Sequence, residues 1–143
     1  MPNWSEGSLK LRGKKENIIR FLNDLEPCKD QSKWSYIPDS DRAFIVPDPY
    51  YVTENIEMLN DYDTLEPAVI TIHLCQAWGI NTDDFVNISN RYNLDIRINA
   101  VERGMMFSEC YEIINGQVTK SEAKDYKSSN DFEWNVPFSY LGG

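Results

Sequence analysis

Residues 68–101 constrain this chain more than any other stretch, because their apolar period passes from strand to helix and back to strand. Ala68–Cys75 (AVITIHLC) is rich in β-branched residues and reads as a central strand. Gly79 and Asn81 mark a turn. Thr82, Asp83 and Asp84 read as a helix start: threonine can cap free N–H groups, and acids favour the positive end of the helix dipole. Phe85, Ile88 and Tyr92 share one helical face, so the spacing predicts a helix over Asp83–Tyr92, ended by Asn93. Leu94–Val101 (LDIRINAV) then alternates strictly. Leu94, Ile96, Ile98 and Ala100 point one way; Asp95, Arg97 and Asn99 point the other.

The flanks extend the pattern. Ser8–Arg12 alternates around Leu9 and Leu11 and reads as a short strand. Gly13 precedes a helix placed at about Lys15–Glu26, with Ile18, Ile19, Leu22 and Leu25 at helical spacing and Pro27 as its stop. Arg42–Val46 reads as a strand, and Tyr50–Leu65 shows only weak periodicity around Ile56 and Leu59. Downstream, Met106–Ile114 is a strand, Asn115-Gly116 is a hairpin signal, and Gln117–Lys120 returns as a short strand. Ser121–Asn130 is polar and reads as a linker. The aromatic tail, residues 126–143, alternates through Phe132, Trp134, Val136 and Phe138, as an edge strand or a cover for the sheet would.

Strand, helix, strand, strand, helix, strand and hairpin is the β-α-β-β-α-β plan of a ferredoxin-like sandwich. The expected fold class is therefore α+β: an antiparallel sheet with two helices on one face, plus extra hairpin strands. At 143 residues the chain is expected to form one domain, with an acidic insertion at residues 28–66. No apolar run approaches the roughly 18 residues of a membrane span, and the start is polar, so neither membrane nor leader is expected. Cys28, Cys75 and Cys110 form no C-x-x-C pair, and an odd count fits reduced thiols in a cytoplasm better than a disulfide framework.

Charge carries most of the functional signal. The net charge is −9, and residues 26–66 alone hold ten acidic and three basic residues. Such a chain repels nucleic-acid phosphates, so direct nucleic-acid binding is not expected. The acidic segment reads either as a solubilising face or as a carboxylate surface that docks on a basic groove. The candidate partner-binding residues are Asp39, Asp41, Asp48, Glu54, Glu57, Asp61 and Asp63, with Tyr50, Tyr51 and Tyr62 as aromatic anchors.

Met1-Pro2-Asn3-Trp4, the strand and helix start in Leu9–Glu16, Ile72–Trp78 (IHLCQAW), Glu102–Phe107 (ERGMMF) and Asn115-Gly116 together resemble the YubB-type proteins of phages and plasmids, which have a ferredoxin-like domain. The resemblance spans residues 1–25 and 68–118. It departs at Ser5, where the family usually has cysteine, and after Trp78, where prolines are common. It implies the fold and a mobile-element origin, and it implies no catalytic residue.

Catalytic patterns are sparse. His73, the single histidine, shares a strand face with Cys75, and the two read as a hydrogen-bonded histidine beside a packed cysteine. Glu102 before Gly104 reads as a turn residue. Neither a zinc ligand set nor a phosphate-binding glycine loop is recognisable by spacing, so no metal, cofactor or catalytic residue is expected. The resulting expectation is a non-enzymatic protein, in a bacterial host cytoplasm, that inhibits a host nucleic-acid-binding defence protein by nucleic-acid mimicry. An RNA-guided nuclease or restriction enzyme is the target class, since each has a basic channel. The alternatives are a regulatory or housekeeping module without a defence target, and a hydrolase using acids near Glu102 and His73.

Overall fold

The structure, a computed structural model, describes residues 3–27, 35–40, 43–46, 49–61 and 63–142, with the side chains of residues 43–46 and 49–51 left aside. It is a mixed α+β fold. Five long strands form the body of one antiparallel sheet: β1 (Trp4–Gly13), β5 (Ala68–Ala77), β6 (Asp95–Glu102), β7 (Phe107–Ile114) and β8 (Gln117–Asp125). Three short strands, β2 (Glu26–Pro27), β3 (Ser35–Tyr36) and β4 (Ala43–Val46), extend the β5 edge. The spatial order is β2-β3-β4-β5-β1-β6-β7-β8.

The first strand lies at the centre because both its edges are taken. Glu6 stands opposite Cys75 of β5 and opposite Val101 of β6. Gly7 permits this closeness: a Cβ there would run into the Asn99 carbonyl and Ala100 Cα of β6. Alternation then divides the sheet. Leu9, Leu11, Ile70, Ile72, Ile96 and Ile98 are buried on one face. Glu6, Lys10, His73 and Arg97 occupy the other. The strict alternation read in residues 94–101 is what the structure has.

Helices α1 (Lys15–Asn23) and α3 (Thr82–Tyr92) cover the apolar face with Ile18, Phe21 and Leu22 from one and Phe85, Ile88 and Tyr92 from the other. Phe21 and Tyr92 meet edge to face, with ring centroids 5.4 Å apart. The cap of α3 is Asn81, whose side chain accepts from Asp83 N at 3.2 Å; Thr82 is the first helical residue. Asn93 closes the helix in the left-handed conformation at φ 53°.

Several expectations are corrected. The expected plan had two helices and added strands only from the Asn115-Gly116 hairpin, which are β7 and β8; helix α2 (Pro49–Leu59) also stands between β4 and β5, and the short strands β2 and β3 extend the other edge. Val52, Asn55, Ile56 and Leu59 form its inward stripe, and Asn55 in that stripe disguises the helical period. The supposed linker at residues 121–125 is the end of β8. Every residue of β8 is exposed, so no apolar alternation betrays it; pairing with the free edge of β7 holds it. The Asn115-Gly116 turn does join the two strands, with φ of 51° and 72°, values that glycine and asparagine tolerate best. The tail is not a strand: helix α4 (Ser129–Asn135) begins at Ser128, whose Oγ accepts from Asp131 N at 3.1 Å. Phe132 and Val136, one helical turn apart, pack with Val101 on the sheet face opposite α1 and α3. The tail thus covers part of the open face.

Candidate functional site

Among the described residues, the acidic segment is the first region that presents chemistry to solvent. Glu54 and Glu57 lie on the outer side of α2, and Asp61 and Asp63 lie exposed in the turn beyond it. No lysine or arginine occurs between Arg42 and Arg91. Among the described residues, none of these four carboxylates takes part in an ion pair. Asp39 is different. It sits at φ 61° and accepts from Arg91 Nη1 at 2.6 Å, so its charge is already answered within the chain. Asp41, Asp48 and Tyr62 lie outside the described residues. Tyr50 and Tyr51 fall in the first turn of α2, with side chains outside the description.

The second region is the open face of the sheet, where alternate residues of β1 and β5 place Glu6, His73 and Cys75 side by side. Glu6 is opposite Cys75, and His73 is two residues back on the same face. His73 Nε2 stands 2.6 Å from Glu6 Oε1. Gly142 N of the tail donates to the other carboxylate oxygen, Oε2, at 2.8 Å. The histidine contact and that backbone donor hold the Glu6 carboxyl below its usual pKa, against the effect of burial. Burial, then the adjacent Glu6 carboxylate, push the Cys75 thiol up to about 12. Cys75 is thus a protonated thiol at neutral pH. It lies next to the carboxylate, not activated by the imidazole as a cysteine nucleophile would be.

A groove of about 620 Å³ runs beside this cluster, floored by Glu6, Asn99 and Cys110 and walled by Tyr126, Val136 and Phe138 of the tail. A smaller one of about 450 Å³ lies between His73, Thr71 and the tail residues Phe138 and Tyr140. Elsewhere the open face is occupied by ion pairs: Arg12 with Asp95 at 2.7 Å, and Arg97 with Glu112. Arg97 and then Thr119 lower the Glu112 pKa.

Glu102 does not join His73. It faces the opposite side of the sheet, where its two oxygens accept from Gly104 N and Met105 N, each at 2.6 Å. It is fully buried and shapes the β6–β7 turn, as its place before Gly104 suggests. Glu102 and His73, which the hydrolase alternative names together, thus lie on opposite faces of the sheet. Sequence reasoning paired His73 with Cys75 but missed Glu6 and the Gly142 contact. Glu6 lies 67 residues from His73, so only the β1–β5 register brings them together.

No known protein family, curated protein or solved structure matches this chain. No helix of the described residues is long and apolar enough to cross a membrane.

Proposed function

We propose that this protein is a non-enzymatic binding module whose acidic helix and turn dock on a basic, nucleic-acid-binding surface of a host defence protein. One observation carries the reading: Glu54, Glu57, Asp61 and Asp63 are all exposed on one short segment, and among the described residues none of them has an ion-pair partner. Surface carboxylates within a Debye length of one another raise the local potential, and a basic partner relieves it. The arrangement speeds association and weakens with salt. Asp39 is left out of this surface because Arg91 holds it. A mobile-element origin, as the YubB-type resemblance implies, agrees with a defence target such as an RNA-guided nuclease or restriction enzyme in a bacterial cytoplasm.

The same reading extends to the architecture. Strands β4-β5-β1-β6, with α1 and α3 on one face, support a ferredoxin-like core to which α2, the outer strands and α4 are added.

The test is capture from a bacterial lysate with tagged protein and with the E54K/E57K/D61K/D63K variant, washed at low and high salt. A nucleic-acid-binding protein held at low salt, released at high salt and lost by the variant supports the proposal. Equal capture by both proteins, or no basic partner at all, overturns it in favour of a regulatory module.

A further inference from the structure

The open face carries a donor set that the acidic-surface reading does not use. Glu6, His73 and Cys75 offer a carboxylate oxygen, an imidazole nitrogen and a sulfur, all within 4.8 Å of one another. It is the one such group of three among the described residues. We propose that these residues bind a single divalent transition-metal ion of the zinc class, with one coordination position open to the groove beneath the tail.

Geometry is the first argument. Tetrahedral zinc has bonds of about 2.0–2.3 Å, which place its ligand atoms roughly 3.3–3.8 Å apart. The three donors already approach that spacing, and the 2.6 Å contact between His73 Nε2 and Glu6 Oε1 needs to open by about 1 Å to admit an ion on that scale. Side-chain rotation supplies such a shift without moving the strands. The strands themselves are fixed, because Glu6 is registered against Cys75 in the middle of the sheet.

Donor chemistry is the second argument. A thiolate and an imidazole select borderline-soft ions and reject calcium and magnesium, which require oxygen ligands. One thiolate, one carboxylate and one neutral imidazole balance a divalent charge, so the site is neutral when filled. On binding, the Sγ–H bond breaks, the proton leaves to solvent, and a sulfur–metal bond forms.

Support around the donors is the third. Gly142 N holds Glu6 Oε2, which turns Oε1 toward His73, and such outer contacts orient metal ligands. Three protein ligands leave the fourth tetrahedral position free, the pattern of sites that admit water or a ligand atom. Of the three donors, His73 borders the groove of about 450 Å³, with Asn99 and Tyr140 among its other walls, which gives such an atom a way to the site.

Cobalt(II) titration of the full, reduced chain tests this directly. The expected result is one ion per chain, with thiolate-to-cobalt charge-transfer absorption and the strong visible bands of tetrahedral cobalt. Cys75→Ser removes the charge-transfer band, whereas Cys110→Ser, in the neighbouring groove, leaves it. His73→Ala and Glu6→Gln each weaken binding by at least about tenfold, as loss of one ligand requires. Zinc displaces the cobalt and raises the thermal midpoint of the wild type but not of His73→Ala. Circular dichroism of each variant separates loss of binding from loss of fold. Absence of thiolate absorption in the wild type, or its persistence in folded Cys75→Ser, overturns the proposal. So does an equal zinc-induced thermal shift in wild type and folded His73→Ala.

Discussion

The two faces of the sheet are made by the same strands and differ in almost everything else. On the covered face, Leu9, Leu11, Ile72, Leu74 and Ile98 meet two helices and are almost wholly removed from water. One residue along each strand, the open face carries Glu6, Lys10, His73, Asn99 and Arg97, with ion pairs, a cysteine and grooves. The covered face buys stability through apolar burial; the open face leaves reactive groups within reach of solvent. Polar groups on the covered face are confined to one end and are all answered there. Glu109 accepts from Ser5 Oγ at 2.8 Å, Tyr111 OH at 2.9 Å and Ile80 N at 3.1 Å. No buried side-chain nitrogen or oxygen among the described residues lacks a partner. Stability and chemistry thus alternate along these strands with a period of two.

Breaking the contrast begins with Leu9→Ala against Lys10→Ala. Leu9 is fully buried in the central strand, so its truncation costs about 2–5 kcal/mol, while its neighbour Lys10, on the open face, changes stability by about 0.5 kcal/mol or less. Urea unfolding of both variants checks this; comparable losses would show that the faces do not divide the work. Glu109→Gln comes next. The amide places donors where Ser5, Tyr111 and Ile80 already donate, at a cost of about 1–3 kcal/mol, read from the same unfolding curves.

A third test uses alkali. Burial, then a hydrogen bond to a carboxylate, pushes the hydroxyls of Tyr92 and Tyr111 up to about 12 from the ordinary 10.0. A raised folded-state pKa means stability that is whole below the unfolded value and lost above it. Unfolding free energy therefore falls as pH rises from about 10 to about 12, and Tyr111→Phe flattens part of that fall. A stability profile level across this window contradicts the expectation. A small effect is also expected for Arg12→Ala, which removes the exposed pair with Asp95. Its cost stays below about 1 kcal/mol and shrinks with added salt; a larger, salt-independent loss would mean that the open face also bears load.

Legibility in the sequence followed the same division. Strand β6 was readable residue by residue because burial on one side imposes strict alternation. The Asn115-Gly116 hairpin was readable because few residues tolerate positive φ at two successive positions. Strand β8 is legible only over Gln117–Lys120, next to the hairpin; its end at residues 121–125 is not, since an edge strand exposed on both sides needs no apolar pattern. Helix α4 was hidden by aromatics that alternate in sequence but use only Phe132 and Val136 for burial, leaving Trp134 in solvent. The acidic segment was legible as charge. Its partition was not: nothing in the sequence distinguishes Asp39, held by Arg91, from Glu54 and Glu57, which face water.

The α+β class, the strand–helix–strand unit of residues 68–101 and the acidity of the middle are written in the sequence, because periodicity and charge are local properties. Folding in three dimensions is what brings Glu6, His73 and Cys75 together, turns Glu102 and His73 to opposite faces, and returns the tail to Glu6 through Gly142. Those placements depend on strand order and register between distant residues, Glu6 lying 67 positions from His73 and 136 from Gly142, which no local pattern encodes.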